Sequence, residues 1–270
     1  MQKKIALISV VYENYSILDD LFTSLDKQSN INFHLYLADL STTKKSIPAK
    51  PYLTVINAEN KGYAYAVNHG LKEAQRANCK HFVIINSDII LDERFVEMCF
   101  SAFAAHPASL ITGKIYYAKG YEYHKNRYTK NELGKVLWYA GGSFDWKNAL
   151  TPHRGVDEMD KGQYNTVEQT EFVTGCLIGF DEQALNKIGY WQEDYFLYYE
   201  DADYSVRAQR AKVPAFYDPH IVIWHKNGQS TEGPGSKYQQ HLQKKNQLKF
   251  GLRFAPLRTK LHLLLNYLTA

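Results

Sequence analysis

The sequence predicts an α/β fold, with a mostly parallel central sheet, helices on both faces and a helical tail at the C-terminal end. Three observations carry this. Across residues 1–112, short apolar runs rich in β-branched residues alternate with amphipathic stretches, the pattern of βαβ units whose strands are covered on both faces. Hydrophobic residues make up 45% of the 270, enough to bury the core of one large domain. Residues 231–270 then turn basic and leucine-rich, with Pro256 placed to divide them into two helices. The expected organisation is a main domain over 1–230, with halves at 1–112 and 113–230, followed by the tail at 231–270.

The elements follow in order. IALISVV is the first strand and SILDDLFTSLDKQ its helix; the lysines ahead of it mimic a secretory signal, but no small-residue cleavage site follows. FHLYLADL is a strand leading into a polar loop, LTVINA a strand before the helix AYAVNHGLKEAQRA, and HFVIIN a strand before DERFVEMCFSAFAAH. In such sheets ligands gather at the carboxyl ends of the strands. Those ends carry Tyr12 and Glu13, Asp39, Asn60 to Gly62, and Asn86 to Asp88. Beyond residue 113 the chain is loop-rich and crowded with Tyr and Trp. Aromatic faces of this kind stack on sugar rings or pack on their own domain, and both readings stand.

Composition excludes several classes. A net charge of +4 is too weak for a nucleic-acid binder, though it suits a polyanionic small ligand or an anionic membrane face. Cys79, Cys99 and Cys176 are odd in number and widely spaced, so neither a disulfide framework nor a zinc site is expected, and a reducing compartment is the simplest setting. No stretch reaches the roughly 18 apolar residues of a membrane span. The first turn, VVYENYS, has no glycine to let a pyrophosphate approach the backbone, and NKGYAYAVNHG has its glycines at the wrong spacing, which disfavours a dinucleotide oxidoreductase.

The stretch YFLYYEDADYSVR sets Glu200, Asp201 and Asp203 directly after an aromatic run. Acids in a first helical turn and basic residues in the last oppose the partial charges of the helix ends, so a helix start explains them as well as chemistry does.

Taken in order, ISVVYEN, LADLST, NKGYAYAVNHG, IINSDI, LWYAGGSFDW, DKGQY, FVTGCLIGF, IGYWQEDYFLYYEDADYSVR and WHKNGQST make the chain resemble family-2 glycosyltransferases of the GT-A fold, and among them a bacterial rhamnosyltransferase-like branch. The resemblance implies an inverting transferase that passes L-rhamnose from dTDP-rhamnose to a lipid-linked saccharide in bacterial surface polysaccharide synthesis. It leaves open another UDP- or dTDP-sugar donor, such as galactofuranose or a hexose, and a non-catalytic carbohydrate-binding relative; a nucleotidyltransferase fits the C-terminal motifs less well. Asp39 would contact the base or ribose of the donor, with Tyr12, Glu13, Asn60 and Gly62 lining its pocket, although turn chemistry also accounts for Asp39 and Asn60. Asn68 is left between a helix-packing role and a donor role. Asn86-Ser87-Asp88 stands at the family's metal motif with its first acid replaced by Asn, so Asp88 and His225 would hold Mn2+ or Mg2+ against the diphosphate. Failing a metal, Lys226 or Arg154 would stabilise the leaving group.

Glu200-Asp201 matches the family's Glu-Asp motif. Asp201 is expected as general base, Glu200 as a residue that orients the acceptor or an alternative base, and Asp203 as a helix-start residue. Trp191, Tyr199 and Glu200 would contact the acceptor, with YFLYY shielding the site from water. A cytoplasmic location is expected, with peripheral contact at the inner membrane face through the tail's Lys237, Lys244, Lys245, Lys249, Arg253, Arg258 and Lys260 or packing of that tail on the domain or a second copy; no nucleic acid is expected, and a homodimer stays open.

Overall fold

The computed structural model describes residues 4–228 and 236–268; the last residues of WHKNGQST, 229–231, and the start of the tail, 231–235, lie outside the described residues. In chain order the regular elements are β1 (Ile5–Val11), α1 (Leu18–Asp26), β2 (Phe33–Asp39), β3 (Leu53–Asn57), α2 (Tyr63–Arg76), β4 (His81–Ile85), β5 (Ile89–Leu91), α3 (Phe95–Ala105) and β6 (Leu110–Tyr117). β7 (Leu137–Tyr139), β8 (Glu168–Gln169), β9 (Leu177–Asp181), α4 (Glu182–Ile188), α5 (Glu200–Arg210), β10 (Ala215–His225), α6 (Lys237–Phe254) and α7 (Leu257–Leu268) complete the described chain.

One sheet runs in the order β3-β2-β1-β4-β9-β6-β10-β5. β3, β2, β1 and β4 are mutually parallel, as the alternation of strands and helices requires. From there the sheet is mixed: β9 runs antiparallel to both β4 and β6, β10 is parallel to β6, and β5 is antiparallel to β10. Strand alternation divides the core in two. Ile5, Leu7 and Val11 of β1 face α1 and α3 residues such as Leu21 and Phe95, while Ala6 and Ile8 face Val67 and Leu71 of α2 and Tyr204 of α5. Because β1, β2 and β4 share a direction, their carboxyl ends open on one edge of the sheet. β10 reaches the same edge, where its last residue, His225, pairs in register with Ile89 of β5, directly after Asp88.

Pro256 separates α6 from α7, and the two halves behave differently. α6 packs on the main domain. Phe250 is fully buried, stacked with Phe144 and Trp146 and touching Tyr199 and Phe254, a burial that contributes about 1.5–3 kcal/mol. The guanidinium of Arg253 reaches across to the buried Asp203 at 2.7 Å and to Asp194 at 2.9 Å, and Lys249 also pairs with Asp194. Two of the tail's basic residues are therefore turned inward. α7 folds back so closely that a Cβ on Gly251 would collide with Leu263. Leu257, Leu261, Leu264 and Leu265 of the same helix are exposed. No helix among the described residues is long and apolar enough to cross a membrane.

Candidate active site

The acidic stretch starts a helix, as its charge pattern suggests, but the chain arrives there through a strained backbone. Phe196 (φ 66°, ψ −60°) forms the rarer, strained hand of γ-turn, with Leu197 N–H donating to the Tyr195 carbonyl at 2.9 Å. Tyr198 and Tyr199 follow with φ of 71° and 73°. Left-handed conformations at non-glycine residues cost about 1–3 kcal/mol each and persist only where surrounding structure fixes them. Two clamps fix these. On the tail side, the buried Asn246 amide of α6 donates to the carbonyls of Tyr195, Leu197 and Tyr198 at 2.7, 2.8 and 3.1 Å. On the donor-half side, Tyr63 N–H donates to the Phe196 carbonyl at 2.7 Å, and Gly62 (φ 104°) lies so close that any Cβ would run into that carbonyl.

The segment delivers Glu200 and Asp201 to the wall of a cavity of about 870 Å3. Asp201 accepts from Gly175 N–H at 2.9 Å and from Ala202 N–H at 2.8 Å, one bond to each oxygen. Glu200 is buried, and its Oε2 has no hydrogen-bond partner among the described residues. Burial first, then the neighbouring Asp201 charge, pushes the Glu200 carboxyl up to about 8. Burial also raises Asp201, but its backbone N–H bonds favour the anion. A proton shared by the pair therefore belongs on Glu200, and Asp201 is the member better held as the anion.

Asn86, Asp88 and His225 line the same cavity. His225 Nε2 lies 3.3 Å from Asp88 Oδ1 and 3.4 Å from Asn86 Nδ2, while its buried Nδ1 has no hydrogen-bond partner among the described residues. Tyr63 hydroxyl joins the two sides, donating to the Gly175 carbonyl at 3.1 Å and to Asn86 Oδ1 at 3.3 Å. Two adjacent ligands of one octahedral ion, each about 2.1 Å from it, stand about 3 Å apart, so Asp88 and His225 fit a shared divalent cation. They fit it as a partial shell: among the described residues no group of three or more His, Cys, Asp or Glu could hold a metal. The remaining positions suit phosphate oxygens and water.

The other expected residues fall into three groups. Tyr199 joins the cavity wall, its hydroxyl donating to the Ala149 carbonyl at 3.2 Å. Tyr12, Glu13, Asp39, Asn60 and Gly62 do not line the cavity; they lie at the neighbouring strand ends. There Glu13 accepts from Thr42 N–H at 2.6 Å, and the buried Asp39 accepts from Ser41 N–H at 2.9 Å and Tyr15 hydroxyl at 2.7 Å. Burial alone would raise the Asp39 carboxyl, but those bonds hold it below the usual range. Asn60 accepts from Gly62 N–H, an ordinary local turn, while Tyr12 is exposed.

Trp191, expected at the acceptor, is not among the residues that line the cavity. It is 2% exposed, stacked on Tyr204 behind the cavity rather than in its wall. Asn68 holds its backbone there, accepting from Trp191 N–H and donating to its carbonyl, both at 2.9 Å, which gives Asn68 a packing role. Asp203 likewise binds Arg207 and Arg253 rather than serving only the helix start. Lys226 pairs with Asp20, and Arg154 pairs with Glu168 at 2.7 Å, so both are committed elsewhere. Asp160 of DKGQY is also structural, accepting from the buried Lys114 at 2.8 Å. Sequence reasoning missed Tyr63, Trp138 and His153, and also the glutamines of α6; all but Tyr63 come from outside the strand ends. Burial holds the His153 imidazole down to about 4, and it is therefore neutral.

Known proteins resemble this arrangement at the level of fold. GalNAc-T7, solved with UDP, GalNAc and Mn2+, superposes with a TM-score of 0.66 at 13% identity over 92% of this chain, which spans about half (47%) of that one. The mannosyltransferase PcManGT from Pyrobaculum calidifontis, solved with GDP-Man and Mn2+, superposes at 0.53 with 15% identity, covering 97% of this chain and 68% of its own. Both share the GT-A fold expected here. No curated protein sequence matches the chain at a significant level. The model of the family described as "Glycosyl transferase family 2" matches residues 6–189, well over half the chain, and on that match the chain belongs to glycosyl transferase family 2.

Proposed function

We propose that the chain transfers a sugar from a nucleoside-diphosphate donor to a hydroxyl of a saccharide acceptor, with inversion at the anomeric carbon. The observation that carries this reading is one cavity lined by the Glu200-Asp201 pair and by Asn86, Asp88 and His225. Asp201 accepts the proton of the acceptor hydroxyl as its oxygen bonds to the anomeric carbon and the bond to the diphosphate breaks. Glu200, holding its proton near neutral pH, donates a hydrogen bond to the acceptor and leaves Asp201 as base. Asp88 and His225 would hold Mn2+ or Mg2+, which when bound supplies positive charge to the departing diphosphate. Leu197, Tyr198 and Tyr199 line the cavity beside the pair, and their apolar surface would disfavour water as a competing acceptor.

The donor reading is L-rhamnose from dTDP-rhamnose, with UDP- or dTDP-linked galactofuranose or hexose as the alternative, and the nucleotide lying along the strand ends at Tyr12, Glu13 and Asp39. The acceptor is a lipid-linked saccharide of surface polysaccharide synthesis, met at a membrane face. The exposed leucine stripe of α7 and a tail without any Asp or Glu between residues 236 and 268 support that location. A screen of purified protein against dTDP- and UDP-sugars, with saccharide acceptors, tests the reading. Nucleotide release that depends on both donor and acceptor is the expected result, and its absence across the panel rejects the transferase.

A further inference from the structure

We infer that α6 is the acceptor-reading wall of the cavity and that it takes a neutral oligosaccharide of more than one sugar unit; the inference rests on the transferase reading and extends it. Gln239, Gln243 and Gln247 follow one another at four-residue spacing and, with Gln240 and Lys244, line the cavity. On a helix that spacing aligns side chains on one face, and the three glutamines span about 12 Å along it. An amide side chain carries both donors and an acceptor, the same mixed character as a sugar hydroxyl. A nucleotide or phosphate would call for cations, and Lys244 is the one charged residue among these five. The face is held in place rather than loosely draped. Gln247 donates to the Asn148 carbonyl at 2.8 Å, Asn246 is buried against the strained segment, and Phe250 is fully buried.

The remaining wall suits the same ligand. Trp138, Tyr198 and Tyr199 supply aromatic surface for the apolar faces of sugar rings, near the carboxylates where transfer takes place. A volume of about 870 Å3 exceeds what the transferred sugar alone needs and lies near the upper end of ordinary ligand pockets. The matched family region ends at residue 189, so α6 is contributed by a part of the chain outside it. In sequence the acceptor wall is thereby separated from the donor half, although both line one cavity.

The test is binding of para-nitrophenyl mono-, di- and trisaccharides of neutral hexoses to the full chain, read by the fluorescence of Trp138 against a Trp138→Phe control. Affinity should rise with sugar number in the wild type. Gln243→Ala combined with Lys244→Ala, both exposed positions, should remove about threefold to tenfold of that gain per lost hydrogen bond while leaving monosaccharide affinity and nucleotide affinity unchanged. No rise with length in the wild type, or an undiminished rise in the variant, overturns the assignment. Length-dependent binding without transfer of any donor sugar would instead reject the catalytic reading and leave the wall standing.

Discussion

Replacing Glu200 by Gln separates the two carboxylates, because glutamine copies the protonated acid that the folded chain holds. The ordinary carboxyl value is 4.5, and the folded one is about 8. Between these values the unfolded chain has released a proton that the folded chain retains. Stability therefore falls as pH rises through that window and levels off above about 8. From pH 5 to pH 8.5 the loss attributable to Glu200 is on the order of 4 kcal/mol, less whatever Asp201 shares of the proton. Urea unfolding at both pH values should show the wild type and Glu200→Gln nearly equal at pH 5 and the variant more stable at pH 8.5. Turnover at pH 7 should stay within about tenfold of wild type for Glu200→Gln, whereas Asp201→Asn should lose two to four orders of magnitude, roughly the worth of a general base, with nucleotide binding intact. Parallel stability profiles would refute the burial argument. A larger turnover loss in Glu200→Gln than in Asp201→Asn would exchange the two roles.

EDTA should stop transfer and Mn2+ or Mg2+ restore it, with His225→Ala raising the metal concentration needed by at least about tenfold; activity undiminished in chelator would remove the ion from the reaction. Asn246→Ala should cost about 1–3 kcal/mol in urea unfolding, since three carbonyls lose their donor, and should lower kcat more than it raises the donor KM because the strained segment carries the carboxylates. Serine at Leu257, Leu261 and Leu265 should weaken co-sedimentation with anionic vesicles by at least about tenfold. Equal binding by this variant and the wild type, together with a sedimentation velocity that reports a dimer only in the wild type, would assign the stripe to a second copy instead.

Local pattern made much of the fold legible. Apolar runs ending in Asp39 and Asn86, the acidic first turn at Glu200 and the break at Pro256 are written in neighbouring residues, so strands, helices and the divided tail follow from the sequence. The sheet's mixed half does not follow. β5 leaves β4 after a short turn yet pairs with β10 at the far edge, a choice set by which edge remains unpaired and not by any periodicity in Ile89–Leu91. Trp191 shows the same limit at a single residue, because an aromatic beside an acidic motif reads alike whether it faces ligand or stacks on Tyr204.

The sequence by itself determined the family, the α/β class and the residue types that carry chemistry, because helix starts, strand runs and motif order are properties of contiguous residues. Only the tertiary structure decided which of those residues meet. The antiparallel register of β10 against β5 brings His225 to Asp88, and backbone N–H bonds to Asp201, in a site where both carboxyls are buried, part the affinities of Glu200 and Asp201 for a proton. Long-range packing of α6, through Asn246 and Phe250, turns a basic tail into a wall of the cavity. Proximity across the fold and exclusion of water are collective properties of packed elements, and no local stretch of sequence encodes them.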